Sequence, residues 1–215
     1  MLDQASINQL RYTEIAPQNL FINGKWQAGT SQGTMSVISP IDGKEITTLA
    51  CGNSDDIDLA VAAARQSYDA GIWSRSAPSH RKKVLLRLAE LIEQNALELA
   101  VLGARDNGTE IGMAFKAEPG SAAGTFRYYA EAIDKVYGEI APTDSSVLGL
   151  IHREPIGVIG VIVPWNFPLM IGSWKIAPAL AVGNSVVLKP SEMASLSLLR
   201  LTELASEAGI PDGVL

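Results

Sequence analysis

Between Pro155 and Trp174 the chain runs for twenty residues, PIGVIGVIVPWNFPLMIGSW, without one ionisable side chain. That length matches a membrane span, but Pro164, Asn166 and Pro168 sit at its middle, where a spanning helix would lose backbone hydrogen bonds and bury an amide. The stretch therefore reads as a buried apolar strand to Val163, a turn, and a helix to about Ala181. A strand from Asn184 to Leu188 and a helix from Ser195 to Ala208 follow. This βαβα order, with near-continuous apolar strands, implies a parallel sheet with right-handed crossovers. The last residues, Gly209 to Leu215, read as a loop entering a third strand.

The upstream chain has a different character. Leu20-Phe21-Ile22 and Trp26 flank Asn23-Gly24, a dipeptide that accepts the positive φ angles of a tight hairpin. Val37-Ile38 and Ile46-Thr47-Thr48 flank a second reversal near Pro40 and Asp42-Gly43. Helices follow. The first is capped by Ser54, carries Ile57, Val61, Ala64 and Tyr68 on one face, and ends at Gly71. The next starts near Pro78-Ser79 and places Val84, Leu85, Leu88, Leu91, Ile92 and Leu99 inward, with Arg81, Lys82, Lys83, Glu90 and Glu93 in solvent. A third helical segment, Leu102 to Phe115, is interrupted by Gly103, Gly108 and Gly112. A fourth spans Pro119 to Ile140, with Ala122, Phe126, Tyr129, Ile133 and Val136 as its stripe. Near Pro142 β-branched strands take over. Val147 to Arg153 is expected to project as an arm, separated by Glu154-Pro155 from the buried strand.

The expected fold class is thus α/β: an incomplete doubly wound, Rossmann-like parallel sheet preceded by N-terminal β-hairpins and a helical segment. The expected organisation is residues 1–141 as hairpins and helices packing on a cofactor unit, 142–157 as a strand arm, and 158–215 as the first βαβα of that unit.

Composition narrows the partners. A net charge of −6, from 17 Lys+Arg against 23 Asp+Glu, argues against a surface that neutralises nucleic acid or anionic lipid. One cysteine and two histidines cannot form an internal disulfide or an ordinary Cys/His zinc site. Residues 1–18 lack the apolar core of a secretory signal, so a cytoplasmic protein without metal is expected.

In an open α/β sheet, ligands sit beyond the carboxyl ends of the strands. The loops there are Pro164-Trp165-Asn166-Phe167-Pro168 and Lys189-Pro190-Ser191-Glu192. Glu192, at the end of a second parallel strand, is placed to accept hydrogen bonds from a nucleotide ribose, and Lys189 to donate to it. Neither a G-x-G-x-x-G fingerprint nor a G-x-x-x-x-G-K-[ST] loop accompanies them. The Asn166 amide can donate to a carbonyl oxygen as charge develops on it, a role worth about 2.7–4 kcal/mol elsewhere; on pattern alone it also reads as a loop-capping Asn, and both loops as rigid turns. Cys51, His80 and His152 read as structural.

Val163 to Pro168 together with Leu188 to Glu192 resembles the NAD(P)-dependent aldehyde dehydrogenase superfamily. LFINGKW at 20–26, SPIDGKE at 39–45, RYYAEAIDKVYGEI at 127–140 and EPIGVIG at 154–160 resemble it in family order. YAEAIDKVYGE and PALAVGNSVVLKPSE resemble the subgroup acting on γ-glutamyl-γ-aminobutyraldehyde and related ω-amino aldehydes. The resemblance implies that Asn166 supplies the side-chain half of an oxyanion hole. It further implies that Ile162, Val163, Pro164, Trp165 and Asn166 run along the cofactor, and that Lys189, Ser191 and Glu192 bind it. Phe167 and Trp174 would line an aldehyde tunnel, with Lys175 a weaker site candidate. NAD is the cofactor implied, with NADP possible, and a homo-oligomer is implied through the strand arm.

The family reaction is attack by a cysteine thiolate, hydride transfer to the nicotinamide, and hydrolysis with a glutamate base. Those segments are expected C-terminal to the equivalent of Leu215, and Cys51 matches no family nucleophile. The first expectation is therefore the N-terminal, cofactor-binding portion of a dehydrogenase that oxidises aldehydes to acids. The alternative is a shortened, non-catalytic protein that binds nucleotide or joins an oligomer.

Overall fold

The computed structural model describes residues 3–215. It opens with a helix the sequence reading did not anticipate, α1 (Gln4–Tyr12), whose N-cap Asp3 accepts from the backbone N–H groups of Ala5 and Ser6. Only Ile7 of α1 is buried, and Arg105 holds the far end through the Thr13 carbonyl at 2.8 Å. The expectation of no leader at residues 1–18 begins on two residues outside the described ones.

The two hairpins form as expected. β1 (Leu20–Ile22) pairs antiparallel with β2 (Lys25–Gln27) across Asn23 and Gly24, at φ 52° and 73°, the left-handed pair that a two-residue turn demands. β3 (Thr34–Ile38) pairs with β4 (Glu45–Ala50), with an irregularity at Val37/Ile38. α2 (Ser54–Ala70) is capped by Asn53 rather than Ser54: Asn53 accepts from the Asp55 and Asp56 amides while the Asp56 carboxylate accepts from the Asn53 amide. This reciprocal arrangement satisfies donors at both positions.

The helical segment departs from the pattern reading at its boundaries. α3 (Pro78–Gln94) stops at Asn95, so Leu99 belongs to a separate helix, α4 (Ala96–Asn107). Gly108, at φ 79°, ends α4, and the segment expected over Leu102–Phe115 is divided between α4 and α5 (Ile111–Ala132). α5 begins at Ile111 rather than Pro119 because Glu110 caps it, accepting from Gly112 and Met113 at 2.8 and 2.9 Å. Pro119 lies buried within α5, where neighbouring helices fix the backbone despite the lost hydrogen bond. The helix ends at Ala132, well before the expected Ile140. After a single 3-10 turn (Ile133–Lys135) comes an unanticipated strand, β5 (Glu139–Ala141), paired antiparallel with β6 (Gly149–Ile151). The expected arm over Val147–Arg153 is thus one side of a short ribbon, on which Ile140, Leu148 and Leu150 are exposed.

The parallel unit forms with the expected order: β7 (Val158–Ile162), α6 (Pro168–Ala181), β8 (Ser185–Lys189) and α7 (Leu196–Ala208). β7 and β8 pair in parallel, with Val158 opposite Ser185 and Ile162 opposite Lys189. One core cluster joins this unit to α3 and α5, with Trp73, Leu85, Leu88, Phe126, Leu169, Ile176 and Leu201 fully buried. β7 is less enclosed than expected: Val161 is buried, but Gly160 is exposed and Ile162 is 81% exposed. The Val186 amide donates to the Val214 carbonyl at 2.8 Å, but residues 209–215 form no strand and the parallel sheet has two strands, so the third strand expected there is not formed among the described residues.

Arg81, expected in solvent, is buried at 8% exposure. Its guanidinium donates to the carbonyls of Ala181, Trp73 and Ser76, and the Trp73 indole donates to the Leu180 carbonyl at 2.9 Å. A cation is tolerated there because the carbonyl-rich C-terminal end of α6 supplies acceptors and negative potential. Its neighbour Lys82 pairs with Glu131 at 2.7 Å at the surface, as expected of that face. Among the described residues no helix is long and apolar enough to cross a membrane.

Candidate functional site

The parallel register sends the loops after β7 and β8 out of the sheet at the same edge. Val163 prolongs the pairing, its amide donating to the Lys189 carbonyl at 3.3 Å, and is buried. Pro164, Trp165 and Asn166 are exposed, and Phe167 is the N-cap of α6 with Pro168 in its first turn. Asn166 makes no side-chain hydrogen bond among the described residues, so it does not cap the loop. The turn is instead held from outside: the Asn107 side chain donates to the Trp165 carbonyl at 3.4 Å, while its own oxygen accepts from the Thr109 amide at 2.8 Å.

At the second loop Lys189 Nζ lies 2.9 Å from Glu192 Oε2, with both side chains about half exposed (52% and 53%). The hydrogen bond from Lys189 holds the Glu192 carboxyl below its usual range, leaving an ionised acceptor beside a cationic donor. An exposed pair of this kind contributes little to stability. Ser191 turns the loop, accepting from Met193 through its hydroxyl at 3.2 Å and from Ala194 through its carbonyl at 3.1 Å.

Lys189, Ser191 and Glu192 also stand on the wall of a cavity of about 540 Å³ that runs along the open side of β8, between the first hairpin, α2 and α7. Its lining is mainly apolar, with Leu20, Phe21, Ile57 and Leu198, and includes Cys51. Part of the apolar face of α2 therefore points at a cavity rather than a packed core, which leaves Ile57 47% exposed. Trp174 faces a separate groove of about 350 Å³ with Ser121, Gly124, Thr125, Tyr128 and Tyr129 of α5. Phe167 is not in that lining, so the two expected tunnel residues are not brought together, and Lys175 is an exposed neighbour of Trp174. His80 packs edge-on to Trp73 at 6.2 Å, and His152 lies at the surface, 3.0 Å from Glu154. Among the described residues no cluster of His, Cys, Asp and Glu could hold a metal ion.

Sequence reasoning missed two buried carboxylates behind these loops. Glu118 of α5, 3% exposed, accepts from the Leu169 and Met170 amides of α6 at 2.9 and 3.4 Å. Asp106 of α4, 4% exposed, accepts from the Leu196 amide of α7 at 2.8 Å through Oδ2, while its Oδ1 has no partner. Burial raises both; Asp106 is pushed up to about 7, with the nearby Glu118 charge adding to the effect. No local signal marks them, since charged positions on amphipathic helices read as solvent-facing.

Residues 26–215 match the aldehyde dehydrogenase family. The chain is 52% identical over 196 residues to the NADP/NAD-dependent aldehyde dehydrogenase PuuC of Escherichia coli, covering 91% of this chain and 40% of that protein. It is 44% identical to the aminoacetaldehyde dehydrogenase of Pseudomonas aeruginosa, covering 92% and 40% respectively. Among solved structures, the P. syringae indole-3-acetaldehyde dehydrogenase in complex with NAD+ and IAA superposes with a TM-score of 0.97 at 45% identity, over all of this chain and 43% of that one. The γ-glutamyl-γ-aminobutyraldehyde dehydrogenase of Burkholderia cenocepacia gives 0.95 at 44% identity, over 99% and 43%. The chain thus spans about 40% of the length of the curated relatives it matches, and it belongs to the aldehyde dehydrogenase family.

Proposed function

We propose that this chain is the cofactor-binding portion of an NAD(P)-dependent aldehyde dehydrogenase, and that Asn166 donates to the aldehyde oxygen as it gains negative charge. The observation that supports this most is the parallel register of β7 and β8. It puts an exposed, unengaged amide donor (Asn166) and an exposed donor–acceptor pair (Lys189 and Glu192) at one edge of the sheet. Lys189 and Glu192 suit the two adjacent hydroxyls of a ribose: the ammonium donates to one, the carboxylate accepts from the other, and their mutual ion pair costs little to open. A free 2′-hydroxyl suits Glu192, favouring NAD over its 2′-phosphorylated form. Ile162, Val163, Pro164, Trp165 and Ser191 complete the contact line. When bound, the cofactor supplies the hydride acceptor.

The part played by this chain is orientation and charge stabilisation. Pro164 and Pro168 restrict the turn that carries Asn166, and its unengaged amide is free to donate to the oxyanion as it forms. Trp174, with Phe167 on the approach, would contact the distal part of the substrate. The relatives named for amino aldehydes support an ω-amino aldehyde. Residues 1–141 would brace the cofactor unit. Residues 142–157 would carry homo-oligomer formation through the exposed apolar ribbon, in a cytoplasmic setting suited to a single free thiol.

The test is aldehyde-dependent NADH formation by the protein purified from its native source, compared with Asn166→Ala. The expected result is a kcat about 10²–10³-fold lower with NAD affinity held. An unchanged kcat would remove the oxyanion role.

A further inference from the structure

The helices that follow the two site loops lack local caps. Neither Phe167 before α6 nor Ser195 before α7 makes a side-chain cap bond, and no acidic residue lies in either first turn. Unsatisfied amides at a buried helix start are costly. Here the acceptors come from the preceding helical layer: Glu118, 51 residues before Leu169 in sequence, and Asp106, 90 residues before Leu196. Asn107, adjacent to Asp106, reaches the carbonyl of Trp165. Three side chains from the end of α4 and the middle of α5 thus hold the turn before Asn166, the start of α6 and the start of α7.

Buried carboxylates are an expensive way to satisfy backbone amides, because a surface Ser, Thr or Asp cap would serve without desolvating a charge. Asp106 leaves one oxygen wholly unpaired. What distant caps provide and local ones do not is rigidity relative to the rest of the molecule. A local cap moves with its loop, whereas Glu118 and Asp106 are fixed in helices that belong to, or pack on, the same core as α6 and α7.

We propose that Glu118, Asp106 and Asn107 are positioning residues for the dehydrogenase reaction, fixing the loops that carry Asn166 and Lys189–Glu192 against the helical layer. This rests on the function proposed above. Glu118 acts on Asn166 through the first turn of α6, Asn107 acts on it through Trp165, and Asp106 acts on the Lys189–Glu192 loop through α7.

The test uses Glu118→Leu, Glu118→Gln and Asn107→Ala in the protein purified from its native source. The readouts are kcat, NAD affinity and amide hydrogen exchange at Leu169 and Met170. Glu118→Leu is expected to speed exchange at those two amides and lower kcat at least tenfold, with NAD affinity within about twofold. Glu118→Gln, which keeps an acceptor oxygen, is expected to restore both. Asn107→Ala is expected to lower kcat severalfold without moving the unfolding midpoint, and it carries the test if Glu118→Leu does not fold. Equal losses in the Leu and Gln variants, a kcat loss without faster local exchange, or an unaltered kcat in Asn107→Ala would each overturn the proposal. If the native protein shows no aldehyde oxidation at all, the dehydrogenase reading fails. The exchange at Leu169 and Met170 still decides whether Glu118 anchors the helix, and unchanged exchange would overturn that as well.

Discussion

Replacing Asp106 by Asn should make the protein more stable, by an amount that grows from about pH 4 to about pH 7. In the fold this carboxyl is pushed up to about 7 from an ordinary 3.8, because burial penalises the anion and Glu118 repels it. Between those values the folded chain holds a proton that the unfolded chain has released. Stability therefore falls as pH rises through the interval and levels off above the folded value. Each pH unit of separation corresponds to about 1.36 kcal/mol, so the ionised Asp106 costs the fold roughly 4 kcal/mol above about pH 7. Asn keeps an acceptor for the Leu196 amide and never ionises. Urea unfolding at about pH 3.5, below both values, should then give nearly equal stabilities for the two proteins, and at about pH 8 an advantage of several kcal/mol for the variant. Glu118 is raised in the same direction, so part of the alkaline loss persists in Asp106→Asn and is removed by adding Glu118→Gln. A stability difference that is the same at both pH values would refute the assignment of a buried carboxyl whose ionisation costs the fold stability.

Other perturbations test separate parts of the account. Trp73→Phe keeps most of the buried ring but removes the indole hydrogen bond to the Leu180 carbonyl, which still accepts from the Gly183 amide; a loss of about 0.5–1.5 kcal/mol in chemical denaturation is expected, and none would mean the indole bond is immaterial. Arg81→Met removes the guanidinium from the carbonyls of Ala181, Trp73 and Ser76, and should lower the thermal midpoint although the residue lies in a charged sequence run. Leu150→Lys, on a ribbon residue 69% exposed, should reduce association in light scattering without changing the unfolding midpoint, whereas unaltered association would remove the ribbon from the interface.

How far the sequence discloses this fold depends on the range of the interaction concerned. The Asn23-Gly24 turn, the βαβα order and the exposed loops at its edge are set by neighbours in the chain, and they are where pattern reading places them. The break at Asn95 and the passage of α5 through Pro119 are set by packing against other helices, which can override a local preference. Arg81 is the sharpest case: in the sequence it opens a run of three cations, and in the fold it serves the carbonyl end of a helix whose last residue lies a hundred positions away. The same limit applies to the site. The exposed positions of Asn166, Lys189 and Glu192 beyond the strand ends are legible because prolines and strand ends surround them. Asp106 and Glu118 are not, because what defines them is an amide on another helix.

The central claim is that Lys189 and Glu192 hold the ribose of a nicotinamide cofactor, and the most direct measurement is the ratio of NAD to NADP affinity in the native protein and in Glu192→Lys. The account predicts that the variant loses at least tenfold in NAD affinity, because the carboxylate acceptor for the 2′-hydroxyl is gone, while NADP affinity holds or rises as a second cation meets the 2′-phosphate. An unchanged ratio would mean that the cofactor's ribose does not lie at the end of β8, and would contradict the account at its foundation.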